Sequence, residues 1–292
     1  MGHTPSMKIG LCTFPTEYSI RPDRLAVAAE ERGFESLWFA EHSHIPVSRI
    51  TPWPGGPELP KMYYDVMDPF VAMTAAATVT STLRVATGIA LVIQRDPIQL
   101  AKQVASLDVV SGGRVDLGVG GGWNLEEMRN HGVDPTRRWR ILREKIEAMR
   151  AIWSSPEAEY HGEFVDFDPI YAWPKPTQSP HPPIHVGGAA PGGIRRAVSY
   201  GDGWIPILGR GQTDFTGVVA ECRRAAEEAG RDPDLQISAY GMAADLDTLS
   251  RLRSAGVDRA ILAIPASSPA DAFSALDEAA AVAERLGEAS PR

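Results

Sequence analysis

Residues 84–123, RVATGIALVIQRDPIQLAKQVASLDVVSGGRVDLGVGGGW, decide the fold. The stretch opens on a β-branched apolar run (Arg84–Ala90) and passes into an amphipathic segment, Pro97–Ser111, with proline at a favourable first-turn position. It returns to a second apolar run, Val115–Val119. Strand, helix and strand in this order make a βαβ unit, whose parallel strands are buried on both faces. The same alternation continues in both directions. Upstream lie the strands Lys8–Phe14 and Ser36–Ala40, with helices at Arg21–Arg32 and Pro69–Ser81. Downstream, strands at Ile184–Val186, Trp204–Ile207, Leu235–Tyr240 and Ala260–Ile264 alternate with further helices. Those helices fall at Pro191–Tyr200, Phe215–Ala229, Leu246–Ala255 and Asp271–Leu286, and Thr136–Trp153 follows the fourth strand. Eight such units favour a closed (β/α)₈ TIM barrel over an open doubly wound sheet.

The chain reads as one domain over 1–292, interrupted by two proline-rich insertions, Ser43–Asp68 and Ser155–Pro183. Loops this long in a compact domain are lids or contact surfaces. The second is expected to leave the barrel and bury its aromatics (Tyr160, Phe164, Phe167, Tyr171, Trp173) against the flank. Composition bounds the function. With 29 basic and 37 acidic side chains the net charge is −8, which argues against nucleic acid as a partner. No apolar stretch is long enough to span a bilayer, and the N-terminus lacks a signal peptide's apolar segment, so no membrane partner and a cytoplasmic location are expected. Cys12 and Cys222 stand far apart with no CxxC spacing, which excludes a disulfide framework or zinc knuckle.

In such a barrel the site lies at the C-terminal ends of the strands. After the second strand come Glu41 and His42; a histidine there can exchange protons near neutral pH. With His44 they suggest a metal set, but neighbouring strand residues face opposite ways and no third ligand is evident. The third strand carries Thr87, Gly88 and Ile89. After the fourth comes Gly120-Gly121-Gly122-Trp123; the tryptophan in place of a third glycine, with a basic residue about twenty positions on where an acidic one belongs, excludes a dinucleotide fingerprint. The glycines still allow close approach to a flat ligand. After the fifth, Gly187-Gly188-Ala189-Ala190 leads into a helix with Arg195 and Arg196, which suits a phosphate.

These segments, together with GFESLWFAEH (33–42), YHGEFVDF (160–167), WPKPTQSPHPPIHVGG (173–188) and GDGWIP (201–206), resemble the luciferase-like monooxygenase superfamily, in its coenzyme F420-dependent oxidoreductase branch. The resemblance implies a barrel that binds F420, or alternatively FMN, at its mouth and acts on a small-molecule substrate. It implies His42 beside the reactive ring and a non-prolyl cis peptide at Gly88–Ile89 supporting the back of that ring. Gly120 to Gly122 would line the ring side, and Gly187 to Ala190 would meet the phosphate-bearing tail. Trp123 stands where sugar-phosphate dehydrogenase members carry a glutamate acid, which argues against a sugar-phosphate substrate. Family members commonly form homodimers, and alanine-rich outer helices fit that. Three functional readings stand: F420-dependent hydride transfer, FMN-dependent monooxygenation, and cofactor binding without turnover.

Overall fold

A computed structural model describes residues 7–207, 215–231 and 235–288. The chain runs β1 (Lys8–Thr13), α1 (Pro22–Glu31), β2 (Ser36–Phe39), α2 (Met62–Asp65), α3 (Pro69–Ala77), β3 (Arg84–Ala90), α4 (Pro97–Ser111), β4 (Val115–Val119) and α5 (Leu125–Asn130). It continues α6 (Arg138–Ser154), β5 (Glu157–His161), β6 (Asp166–Tyr171), β7 (Ile184–Gly187), α7 (Gly192–Tyr200) and β8 (Gly203–Ile205). Last come α8 (Phe215–Glu228), β9 (Gln236–Met242), α9 (Leu246–Ser254), β10 (Arg259–Ala263) and α10 (Pro269–Glu288). The strands β1-β10-β9-β8-β7-β4-β3-β2 close into a parallel barrel with the helices outside, the expected (β/α)₈ architecture.

Local chemistry sets the ends of the elements. Asp68 and Asp96 accept the first free N–H groups of α3 and α4, and each is followed by proline at the first turn. Gly112 ends α4 in the left-handed conformation that glycine adopts without strain. The main core lies between strands and helices and includes Leu25, Leu37, Met73, Leu100, Leu117, Leu142 and Val186. Each fully buried side chain of this kind contributes about 1.5–3 kcal/mol. A smaller apolar cluster of Cys12, Trp38, Ala86, Ile205 and Ile261 fills the barrel itself, with Ile89 and Tyr240 above it.

Below that cluster the barrel is plugged by buried charge. Asp116 accepts from Arg84 (2.7 Å) and from Arg259 (3.2 Å), Arg259 also bonds Glu35 (2.7 Å), and His185 lies 3.8 Å from the Asp116 carboxylate. Burial works to raise the Asp116 pKa, but His185 and the guanidinium groups overcome it and hold the carboxyl well below the usual range. Gln178, near the end of the second insertion, bonds Arg84 and Asp108 and seals the same end. That insertion forms the antiparallel hairpin β5–β6 against the flank of α6. Phe164 and Phe167 pack on the core, whereas Tyr171 and Trp173 stay mostly exposed, so the expected burial holds for only part of the aromatic set. The hairpin, α2 and α5 are elements that the sequence reading did not contain. Among the described residues no helix is long and apolar enough to cross a membrane, and no cluster of ligands could hold a metal ion.

Candidate active site

A cavity of about 640 Å³ opens at the C-terminal ends of the strands. It lies within the roughly 300–1,000 Å³ of small-molecule sites. Every barrel strand or the loop after it reaches the wall: Cys12 to Phe14, Ala40 to His42, Gly88 and Ile89, Gly120 to Trp123, Gly187 and Gly188, Ile205 and Ile207, Tyr240 and Gly241, and Ala263 to Ala266. The first insertion returns over the mouth. Trp53, Met62 and Tyr63 join the lining, and the Tyr63 ring packs against Phe14, His42, Trp53 and Trp123 at centroid distances of 4.6, 5.4, 5.5 and 6.3 Å.

His42 is the ionisable centre of this cavity. Trp123 Nε1–H donates to His42 Nε2 (3.2 Å), so that nitrogen carries the lone pair. The opposite nitrogen, Nδ1, carries the proton and donates to Glu127 Oε2 at 2.8 Å. Glu127 is 1% exposed, and its other oxygen accepts from the Ser43 backbone N–H at 3.0 Å. Burial works to raise its carboxyl pKa, but the hydrogen bonds it accepts, first from His42 and then from the Ser43 N–H, bring it below the usual range. The pair therefore holds a neutral imidazole in one tautomer, with its acceptor nitrogen beside the cavity.

Glu41, by contrast, turns away from His42. Its carboxylate accepts from the Leu91 N–H (2.6 Å) and from Arg95 Nε (2.7 Å), and Asp68 shares the same arginine. Burial pushes its pKa up against the pull of Arg95. Glu41 thus ties β2 to the turn after β3, and the carboxylate that orients His42 is Glu127, a residue absent from the sequence reading.

The remaining expected residues divide by position. The Gly88–Ile89 peptide is cis, at the break in β3–β4 register, and the Gly88 carbonyl accepts from Tyr240 OH at 2.6 Å. Thr87 points away from the cavity and donates to the Gly118 carbonyl at 2.7 Å. Ile89 and Gly120 to Gly122 form one wall and Gly187 and Gly188 its far end, whereas Ala189 and Ala190 stand outside the lining. Beside that far end lies a half-buried cation. The Arg196 guanidinium stacks on Trp139 at 3.6 Å, and its Nη2 is 3.1 Å from where a Cβ on Gly188 would sit. Among the described residues its Nε has no hydrogen-bond partner and no carboxylate is paired with it. Burial lowers its pKa, and Arg195 and Arg138 nearby act in the same direction. A half-buried cation with other cations nearby, next to a glycine loop that leaves room, is complementary to an anion. The residues present therefore fit a flat ring along Ile89 and Gly120 to Gly122, with a phosphate at Arg196 and Gly188.

A closed parallel barrel whose strand ends line one cavity, with a buried histidine and a half-buried arginine at its wall, is an α/β barrel of the kind that takes small molecules at its mouth. The profile for luciferase-like monooxygenases matches residues 21–290, and the chain belongs to that family of flavin- and F420-dependent oxidoreductases and monooxygenases. An uncharacterised protein of Mycobacterium tuberculosis is 42% identical over 284 residues, spanning 96% of this chain and 97% of its own. The F420-dependent hydroxymycolic acid dehydrogenase of the same organism is 31% identical over 220 residues, 73% of this chain and 56% of the relative. The oxygenase component of the flavin-dependent trigonelline monooxygenase of Acinetobacter baylyi is 31% identical over 179 residues, 61% of this chain and 45% of the relative.

Proposed function

We propose that this protein is a coenzyme F420-dependent oxidoreductase of a small organic substrate, with His42 exchanging the proton that accompanies hydride transfer. The observation that carries the reading is the His42–Glu127 pair. Oxidation of an alcohol-like carbon to a carbonyl releases a hydride and a proton, and the reverse reaction consumes both. A base with a defined acceptor atom is what that chemistry asks of the protein, and His42 Nε2 is such an atom. The deazaflavin, when bound, supplies the hydride-accepting or hydride-donating carbon.

The residues of the chain do the rest. Arg196 and Gly188 would hold the tail phosphate, and Ile89 with Gly120 to Gly122 would position the ring. Phe14, Trp53, Tyr63 and Trp123 exclude water around His42. The similarity to an F420-dependent dehydrogenase supports this choice of cofactor. A second reading, FMN-dependent monooxygenation, draws on the similarity to a flavin-dependent oxygenase. We also propose a homodimer, on the family resemblance and on Val71, Val109 and Val110, which stand exposed on α3 and α4. A monomeric mass by light scattering would refute it.

The deciding experiment is titration of the purified protein with F420 and, separately, FMN, followed by absorbance and fluorescence. Saturable F420 binding with weak or no FMN binding is expected. FMN binding alone would move the assignment to the monooxygenase reading, and binding of neither would overturn both. F420 that binds but is never reduced by any donor would leave a binding protein without turnover.

A further inference from the structure

We propose that Glu127, Ser43 and His131 form the route by which His42 exchanges its proton with solvent while the cavity is filled. The proposal rests on the reading of His42 as the proton-exchanging group. A ring and a substrate in the cavity would shut water out of that side of His42, which is already buried. Each turnover nevertheless moves one proton between the site and bulk water, so another path is needed.

Such a path leaves from the opposite side of the ring. His42 Nδ1–H bonds Glu127 Oε2 (2.8 Å), and the second oxygen, Oε1, lies 3.3 Å from Ser43 Oγ. Ser43 Oγ in turn lies 2.7 Å from His131 Nε2 and 2.9 Å from His44 Nδ1. Ser43 and His131 are exposed, so the chain of groups runs from a buried imidazole to water.

The hydrogen bonds also set its polarity. The Asn130 amide N–H donates to His44 Nε2 at 2.9 Å, which leaves the His44 proton on Nδ1 and makes it a donor to Ser43 Oγ. The Ser43 hydroxyl hydrogen has two acceptors in reach, Glu127 Oε1 at 3.3 Å and His131 Nε2 at 2.7 Å, and it turns to His131 when Glu127 holds the proton. His131 faces Ser43 and His44, with Glu127, Arg95 and Lys145 acting from farther off. Partial desolvation holds its pKa below the ordinary value, which favours the neutral ring, and the tautomer with hydrogen on Nδ1 leaves Nε2 to accept from Ser43.

Each transfer balances. When His42 Nε2 takes up a proton, Nδ1 gives its own to Glu127. The carboxyl group turns and passes that proton from Oε1 to Ser43 Oγ, and Ser43 passes its hydroxyl proton to His131 Nε2. His131 releases a proton to water. Only O–H and N–H bonds form and break, and no electrons change hands.

The test needs no turnover, and it is run on the protein alone and again with the cavity filled by F420 or FMN. In protein labelled with ¹⁵N at histidine, NMR reads the His42 tautomer from its ring shifts, and exchange of Nδ1–H with water reads the path. His131→Ala removes an exposed ring, and Ser43→Ala keeps the backbone N–H that holds Glu127. Exchange about tenfold slower or more is expected in each, with the parent tautomer retained and the rate in His131→Ala restored by added imidazole. Parent exchange rates in both variants would overturn the proposal while leaving F420 binding, tested separately, untouched. Slowed exchange in a protein that fails to bind F420 would retire the cofactor assignment and keep the path.

Discussion

Replacing Glu127 by Gln changes one oxygen to an NH₂ group and should disable His42 without emptying the site. The carboxylate is buried and accepts from His42 Nδ1–H at 2.8 Å and from the Ser43 N–H at 3.0 Å. A glutamine keeps the Ser43 bond through its carbonyl oxygen, which aims its NH₂ group at Nδ1. Two donors then face each other unless the imidazole changes tautomer. If it does, Nε2 carries the hydrogen and meets the Trp123 Nε1–H, 3.2 Å away, donor to donor. Either way one buried donor is left without an acceptor, at about 1–3 kcal/mol. At roughly 2–4 °C per kcal/mol for a chain of this size class, Tm should fall by about 2–12 °C. Turnover should fall further, by about 10²–10⁴, because Nε2 either carries the hydrogen itself or loses the carboxylate that supports its uptake of a proton. Cofactor affinity should stay near the parent value, since no cofactor-lining residue is altered. The pH dependence carries a sign. The Glu127 pKa is depressed in the folded protein, so its stabilisation is complete above the unfolded carboxyl pKa and is lost as pH falls through the folded value. The parent should therefore lose more stability in acid than Glu127→Gln does. Calorimetry across pH and stopped-flow reduction of F420 measure both effects. Parent rates in Glu127→Gln would refute the assignment of Nε2 as the working nitrogen.

Arg196→Met should weaken F420 or FMN binding about 10- to 100-fold, as expected for losing hydrogen bonds to a charged group, and isothermal titration checks it. Equal affinity would remove Arg196 from the phosphate end. Gly188→Asp should be worse. Its backbone φ of 131° strains any side chain, and its Cβ would sit 3.1 Å from Arg196 Nη2, so the new carboxylate would occupy the cation; undiminished cofactor binding would contradict this. Asp116→Asn leaves Arg84 and Arg259 without their shared carboxylate and should cost about 3–5 kcal/mol in urea unfolding at neutral pH. Because the Asp116 pKa is depressed on folding, that difference should shrink as pH falls below the ordinary carboxylate range, and a difference that grows in acid would refute it.

The barrel was legible because buried parallel strands are written as apolar runs, and the runs at 84–90 and 115–119 coincide with β3 and β4. Half of the site was legible for a related reason: chemistry in this architecture gathers where strands end, and His42 stands at such an end. Adjacency misled at Glu41. Successive residues of an extended chain point to opposite sides, so the carboxylate next to His42 in sequence is sent to Arg95. The one that meets it comes from α5, 85 residues away. Nothing in the local sequence marks Glu127. Asn124-Leu125-Glu126-Glu127 reads as an ordinary helix start, and Asn124 does cap the Glu127 N–H, but the Glu127 side chain leaves the helix for the neighbouring loop instead of returning to the cap.

The glycines teach a further point about what a glycine signal means. Gly120 and Gly121 were read as places where a ligand meets bare backbone, and Gly88 as part of a bend in the strand behind the ring. Added Cβ atoms there would strike Tyr240, Ile89 and Trp139 at 2.5, 2.7 and 2.7 Å, all protein atoms. Their first role is to let three large side chains close in on the strand ends. The flat wall follows from that packing, because Ile89, Tyr240 and Trp139 all line the cavity. A substitution at any of the three should therefore be read on the position of its partner side chain before it is read on ligand contact.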